Sequence, residues 1–238
     1  MCWSLTVLPQ NSFYKKGEIM EFYLDSADYE KIENYVEAYN VKGVTSNPTI
    51  IVKDGAEIKK LAASVPEGKV LFLQVISDET DKIIEETKKL MSLREKVVVK
   101  IPATPNGLRA IKLLKDEGID TLATAIYSVQ QALMAANCGA AYVAPYVNRI
   151  CDLEMDGVKV ALEIQKVFKE QKIDCKVIAA SFKNLSQVKE LLVGGIDAVT
   201  VGPDLFEKIV NNKNAVSASE DFISAWEKYT GKDHLDLD

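Results

Sequence analysis

Histidine is almost absent from this chain: His234, near the end of a polar tail, is the single one among 238 residues. That excludes triads built on histidine and the multi-histidine centres of zinc-dependent enzymes, so acid–base work falls to carboxylates, tyrosine or lysine. Cysteine is scarce too. Cys2, Cys138, Cys151 and Cys175 are scattered without paired metal spacing and read as free thiols of a reducing, cytoplasmic compartment, with Cys175 packing beside a strand. No metal site is expected. No apolar run approaches the roughly 18 residues that a membrane span needs. No basic block stands out against a formal net charge of -6, which argues against nucleic-acid and membrane-surface partners but leaves small anionic substrates open through a local site. No glycine-rich dinucleotide fingerprint follows the first apolar run, and no cofactor is implied. A Pro- or Gly-rich linker is also missing, so the chain reads as one domain.

What is present is an ordinary globular composition, 47% hydrophobic and 27% charged, arranged with a clear rhythm. Short apolar runs begin at Phe22, Gly43, Val70, Val97, Thr121, Tyr142, Lys176 and Ala198. Their starts lie about 20 to 35 residues apart, the length of one strand plus one crossover helix. Helical segments fall between them. The clearest has Thr104 as N-cap, Pro105 in the first position, a face of Leu108, Ile111 and Leu114 or Lys115, and Gly118 as its stop. Asp78 to Met91 and Val158 to Gln171 show similar spacing. Eight such units in one domain of this length favour an α/β fold, a closed (β/α)8 TIM barrel, over an open doubly wound sheet.

The barrel is expected over residues 20–216, followed by a C-terminal helix and tail over 217–238. That helix, Ser217 to Gly231, carries Phe222, Trp226 and Tyr229 on one face, a stripe that must cover either the barrel or a neighbouring subunit. Residues 1–19 have no secretory-signal pattern. The codons for Lys15 to Ile19 can form a purine-rich ribosome-binding stretch, so this extension is expected not to be native, with translation starting at Met20.

In barrels of this kind chemistry sits at the C-terminal strand ends. There the polar residues are Asp25, Thr45 with Asn47, Gln74, Lys100, Thr124, Tyr146 with Arg149, and Ser181. Lys100 is the most informative, because it ends the β-branched run Val97-Val98-Val99, where an ammonium ion has no place unless it is useful. Desolvation there lets an amine lose its proton near neutral pH, and a neutral amine attacks carbonyls. Residues of one parity share a face: Tyr23 with Asp25, Phe72 with Gln74, Val98 with Lys100, Leu122 with Thr124, Ala144 with Tyr146, and Ala179 with Ser181. If those faces point inward, the polar groups meet at one mouth. Each residue also has a plainer reading. Asp25 and Asn47 could cap helices, Lys100 could point to solvent, Tyr146 could be core, and Arg149 could pair with Asp152 or Glu154.

Phe22-Tyr23-Leu24-Asp25, Gly43-Val44-Thr45-Ser46-Asn47-Pro48-Thr49-Ile50-Ile51, Val98-Val99-Lys100-Ile101-Pro102, Thr124-Ala125-Ile126-Tyr127, Tyr142 through Ile150, and Ala179-Ala180-Ser181-Phe182-Lys183 resemble the transaldolase family, in order, from about residue 20 to about 230. The resemblance implies a class I, Schiff-base aldol enzyme on a (β/α)8 barrel. Gln74, Ala144 and Tyr146 match its small, fructose-6-phosphate aldolase-like branch; transaldolases proper usually carry Glu and Phe in place of Gln74 and Tyr146. It further implies Lys100 as the Schiff-base lysine, and Asp25 and Asn47 (with Thr45) as holders of donor hydroxyls. Gln74, Thr124 and Tyr146 would organise water and proton transfer, and Arg149 and Ser181 would bind phosphate. Sugar phosphates and aldehydes are the implied small-molecule partners, and a homo-oligomer, pentamer or decamer, the implied assembly. Ser46 departs from a common Thr and is expected to be neutral.

Three functions are weighed: an aldolase-type lyase acting on a ketose phosphate, a transaldolase of pentose-phosphate metabolism, and a catalytically silent sugar-phosphate-binding barrel. The intact set of Lys100, Asp25, Asn47, Tyr146 and Arg149 counts against the last.

Overall fold

The computed structural model describes residues 20–236. The expectation about residues 1–19 therefore lies outside the described residues. Eight parallel strands close into a barrel in chain order: β1 (Glu21–Asp25), β2 (Gly43–Thr45), β3 (Val70–Gln74), β4 (Val97–Pro102), β5 (Thr121–Ile126), β6 (Tyr142–Pro145), β7 (Lys176–Ala179) and β8 (Ala198–Val201), with β8 pairing back onto β1. Around them lie α1 (Tyr29–Val36), α2 (Pro48–Asp54), α3 (Ile58–Ser64), α4 (Thr80–Met91), α5 (Pro105–Asp116), α6 (Val129–Asn137), α7 (Val147–Cys151), α8 (Gly157–Glu170), α9 (Leu185–Gly194), α10 (Pro203–Val210) and α11 (Lys213–Thr230). The closed barrel with an extra C-terminal helix is the expected fold.

Local chemistry sets the boundaries. Thr104 accepts a hydrogen bond from Gly107 N at 3.1 Å and Pro105 opens α5, as its sequence predicts. Glu79 rather than Asp78 precedes α4, and α8 runs Gly157–Glu170, one residue earlier than its apolar spacing suggests. The short helices α2 and α7 follow β2 and β6 directly and have too few residues to show a 3.6-residue period. Cys138, Cys151 and Cys175 are free thiols, and burial pushes the Cys175 thiol up to about 12.

Two apolar layers sit on opposite strand faces. Inside the barrel are Tyr23, Phe72, Leu122, Ala144, Ile178 and Ala198, joined by Val70, Val98 and Tyr142. Phe72 receives the ring edges of Tyr23 and Tyr142, each at 5.4 Å between centroids, and each such pair adds about 0.5–1.5 kcal/mol beyond area burial. The outward faces, among them Leu24, Val44, Leu71, Leu73, Val99, Ile101, Ala123, Val143, Val177 and Val199, pack under the helices. Burial on both faces is why the runs read as continuously apolar. Parity places Asp25, Gln74, Lys100, Thr124 and Tyr146 inward as expected, and corrects one case. On β7 the inward residue is Ile178, while Ala179 faces the helices. Ser181 reaches the rim because its backbone turns left-handed, φ 63°, just past the strand.

α11 begins earlier than expected, at Lys213, where Asn212 caps it. None of its residues is buried, and Phe222 and Tyr229 are 73% and 85% exposed. The aromatic stripe therefore does not cover the barrel of its own chain. Among the described residues no helix is long and apolar enough to cross a membrane.

Gly43 is where the barrel is tightest: a Cβ there would lie 2.1 Å from the Val70 carbonyl oxygen. Because that neighbour is backbone of the adjacent strand, it cannot swing aside. Gly43→Ala should cost about 2–4 kcal/mol, read as a lowered midpoint in denaturant unfolding; a midpoint within experimental error of the parent would show that the strands can part at no cost.

Candidate active site

Lys100 is 4% exposed, sits on β4 in register with Gln74 of β3, and points into the barrel one layer above Val98. Burial lowers its pKa from the ordinary lysine value of 10.5, and the carboxylate of Asp25 pushes in the opposite direction. Asp25 shows the converse: burial raises it, while Lys100 and the Thr45 hydroxyl pull it down. Lysine and carboxylate thus face each other across the mouth of a low-dielectric core, each drawn toward its neutral form by desolvation and toward its charged form by the other.

A hydrogen-bonded chain fixes the carboxylate. Thr45 Oγ1 donates to Asp25 Oδ1 at 2.6 Å and lies 2.6 Å from Thr200 Oγ1. With the single Thr45 proton committed to Asp25, Thr200 is the donor to Thr45. Asp25 is not a helix cap; Asp28 caps α1 by accepting from Lys31 N at 3.2 Å. Thr200 was not among the candidates drawn from the sequence. Its signal was there, as the one polar residue in Ala198–Val201 on the face of Tyr23, with which it pairs.

On the other side Thr124 Oγ1 donates to Tyr146 Oη at 2.9 Å, leaving the phenol's own proton for another acceptor. An irregularity in β5 lies beside this contact. After Ala123 pairs with Val143, the next partner of Pro145 is Ile126, so β5 carries one extra residue. Ala125 absorbs it with φ 56°, in the left-handed region that costs a non-glycine residue about 1 kcal/mol or more. Tyr146 is 8% exposed and its burial holds the phenol above its usual value, against the pull of Thr124 and Arg149. Arg149 does not pair with Asp152 or Glu154; its guanidinium carbon stands 4.8 Å from the centroid of the Tyr146 ring, and Asp152 takes a bond from Asn148 Nδ2 instead.

The remaining candidates lie at the same end. Gln74 has its carboxamide oxygen buried without a partner, an acceptor aimed at something the protein does not supply. Asn47 does cap α2, taking Ile50 N at 3.1 Å on Oδ1, so its amide nitrogen is what it can offer a ligand. Ser181 is half-buried, and its carbonyl takes Asn148 N at 2.7 Å, while Ala180 O takes Val147 N at 2.9 Å. The first amides of α7 are thereby used by the β7 end, leaving side chains as the groups available there.

Two ties brace this rim. Glu86 accepts from Ile76 N, Ser77 N and Ser77 Oγ at 2.8, 3.1 and 2.6 Å, fixing the loop after Gln74. Gln131 accepts from Tyr127 N at 2.9 Å and donates to Ala103 O at 3.2 Å, joining the loops after β4 and β5. Chemically, the arrangement supplies a desolvated amine, a carboxylate, a phenol, an unpartnered amide and a guanidinium around one mouth.

Since neutral amine appears as pH rises through a lowered pKa, labelling of Lys100 by an amine-selective reagent, read by peptide mass spectrometry, should reach half-maximal rate below pH 10.5. Asp25→Asn removes the charge that raises the lysine and should move that midpoint lower still. A midpoint unchanged or raised by the substitution would rule out the coupling.

The model of the family described as Transaldolase/Fructose-6-phosphate aldolase matches residues 22–235. Among solved structures, a mandelate oxidase mutant matches with a TM-score of 0.56 at 13% identity, covering 76% of this chain and 64% of the other. A mutant flavocytochrome b2 matches at 0.60 and 11%, covering 80% and 59%. Thiamine phosphate pyrophosphorylase from Pyrococcus furiosus matches at 0.52 and 18%, covering 77% and 85%. This chain spans less than two thirds of the length of either flavoenzyme, and at these identities the likeness shows the barrel fold alone. The family model is of a different order, since it runs through every strand of the barrel and every residue of the mouth described above: the chain belongs to the transaldolase/fructose-6-phosphate aldolase family.

Proposed function

We propose that this protein is a class I aldol enzyme of the fructose-6-phosphate aldolase type, cleaving or forming a ketose phosphate from a dihydroxyacetone-type donor and glyceraldehyde 3-phosphate. The observation that carries the reading is the buried Lys100 amine, held down by desolvation beside Asp25 at the C-terminal mouth of the barrel. In this reading neutral Lys100 attacks the ketone carbon. A carbon–nitrogen bond forms, water leaves, and the resulting iminium accepts the electron pair released when the bond between the α carbon and the hydroxyl-bearing β carbon breaks, leaving an enamine on Lys100 and an aldehyde. Asp25, Thr45 and Asn47 hold donor hydroxyls. Tyr146, in the ionised form that Thr124 and Arg149 favour, takes the proton from the hydroxyl at the cleaved position through a water held by Gln74 and Thr124, and becomes the neutral phenol. Arg149 and Ser181 take the phosphate, a task suited to a guanidinium fork.

Gln74 and Tyr146 favour hydrolysis of the three-carbon unit over its transfer. A carboxamide cannot act as a charged acid or base, whereas an oriented water beside a phenol can protonate the enamine and then hydrolyse the imine. Borohydride in the presence of fructose 6-phosphate should trap a covalent adduct on Lys100 and none on Lys100→Met; an absent adduct would favour a silent binding protein. Added erythrose 4-phosphate should yield little sedoheptulose 7-phosphate, and efficient formation of that sugar would make the enzyme a transaldolase.

The assembly belongs to the same proposal. α11 leaves Phe222, Ile223, Trp226 and Tyr229 exposed, with Glu220, Asp221 and Glu227 nearby, and an apolar groove of about 580 Å³ lies along α5 and α6 between Arg109 and Lys112 on one side and Met134 and Cys138 on the other. An apolar helix with acidic flanks and an apolar groove with basic ones suit an exchange between copies in a homo-oligomeric ring. The double substitution Phe222→Glu with Tyr229→Glu should delay elution on gel filtration by several-fold in apparent mass; an unchanged elution volume refutes a role for this helix in assembly.

A further inference from the structure

We infer that Arg149 has two positions with different consequences for Tyr146: stacked on the phenol ring when no anion is bound, and withdrawn to an anionic phosphate when substrate is seated, so that phosphate docking resets the proton affinity of the phenol. This rests on the reading of Arg149 as a phosphate residue and goes beyond it, because it makes the substrate's remote phosphate act on the group that moves the proton.

The geometry is specific. Tyr146 is held on three sides: Thr124 donates to its oxygen at 2.9 Å, the Tyr127 ring meets it edge-on at 6.0 Å, and the Arg149 guanidinium lies over its face at 4.8 Å. Tyr127 is itself pinned by Gln131 through its backbone amide. Two of the three supports are thus fixed to the scaffold. Arg149 is the third, and it differs: it is exposed, stands on the short α7, and acts on the Asp25 carboxylate through charge with no hydrogen bond between them. An unpaired guanidinium resting on a ring face gives up little by leaving it, while a bidentate phosphate contact is stronger and geometrically matched.

The charges that face the phenol are Arg149 from α7, Asp25 from β1 and the Tyr127 hydroxyl from the end of β5, with Lys100 on β4 acting on Asp25. Arg149 is the cation among those acting on the phenol directly, and it favours the phenolate. Once a dianionic phosphate neutralises that cation, burial and Asp25 are left less opposed, and the phenol holds its proton more tightly. A phosphorylated aldehyde would therefore meet a phenol that is more fully protonated, a weaker acid and, once ionised, a stronger base than an unphosphorylated one meets, a distinction made by chemistry at a distance rather than by shape.

The test places 3-fluorotyrosine at position 146 of the full chain, which brings the phenol's titration into a workable range, and follows its fluorine NMR signal with pH, with and without inorganic phosphate. Phosphate binding is monitored separately by phosphorus NMR line width. In phosphate-free buffer Arg149→Gln should raise the titration midpoint on the order of 0.5–1 pH unit. Saturating phosphate should raise it similarly in the parent and leave Arg149→Gln where it was, with Arg149→Lys, which keeps charge without a planar fork, falling between. Equal midpoints for the parent and Arg149→Gln without phosphate would overturn the inference, as would phosphate that binds without moving the midpoint; in the second case Arg149 as a phosphate residue survives. Phosphate that fails to bind, with the Arg149→Gln shift intact, would remove both the docking step and the reading of the phosphate site.

Discussion

The structure turns on the cost of keeping one primary amine out of water. Lys100 continues the inward face of Val98 and stands above an interior plugged by Phe72 between two tyrosine edges, so no solvent reaches it from below. A lysine in that position has two ways to lower its energy, losing its proton or acquiring a counter-ion. Asp25 supplies the second and thereby limits the first. The Thr200–Thr45–Asp25 chain keeps the carboxylate partly satisfied by hydroxyls. It therefore does not depend on the ammonium alone, and the amine can go uncharged without leaving a bare buried anion. The proton affinity of Lys100 is in this sense a property of three strands, β1, β2 and β8, on which it does not lie.

A second constraint is geometric. Regular pairing would set Thr124 opposite Ala144. The extra residue in β5 shifts the pairing, and Ala125 bears the strain. Ser181 bears a similar left-handed turn at the end of β7. Both strained positions flank β6, which leads directly into Tyr146, and both lie at the C-terminal rim, where strain is worth keeping because it re-aims side chains. No such non-glycine turn occurs elsewhere within the described strands. The scaffold is regular where it only has to hold and irregular where it has to point.

Much of this was legible in the residues, for a definite reason. A strand buried on both faces is apolar throughout, so the eight runs stand out, and a polar residue at the end of each is conspicuous against them. Parity then assigned the inward face correctly on β1, β3, β4, β5 and β6. It failed on β7 because alternation presumes extended backbone, and Ser181 is not extended. The bulge at Ala125 was invisible for the same reason, since an inserted residue leaves no mark on composition. Asn47 shows a different limit: the signature of a helix cap and that of a ligand-binding amide are the same residue, and here the cap is made on one atom while the other remains open. Arg149 could be seen to be a lone cation near Tyr146, but stacking on the ring rather than pairing with Asp152 is decided by packing across α7.

The same logic bears on why a tyrosine and a glutamine, rather than two ionisable carboxyls, should stand around this lysine. A glutamate in the position of Gln74 would be a second carboxylate at the mouth of the core, in register with Lys100, and would add to the pull of Asp25 towards the charged ammonium. The neutral carboxamide leaves the lysine's proton affinity to the balance between burial and Asp25. It also presents a buried oxygen with no partner within the protein, an acceptor open to a donor from outside. Tyr146, raised by burial, adds no charge to the site while it keeps its proton. A mouth so arranged keeps its net charge low, and in the proposed reading a water held there would favour release of the three-carbon unit over its transfer.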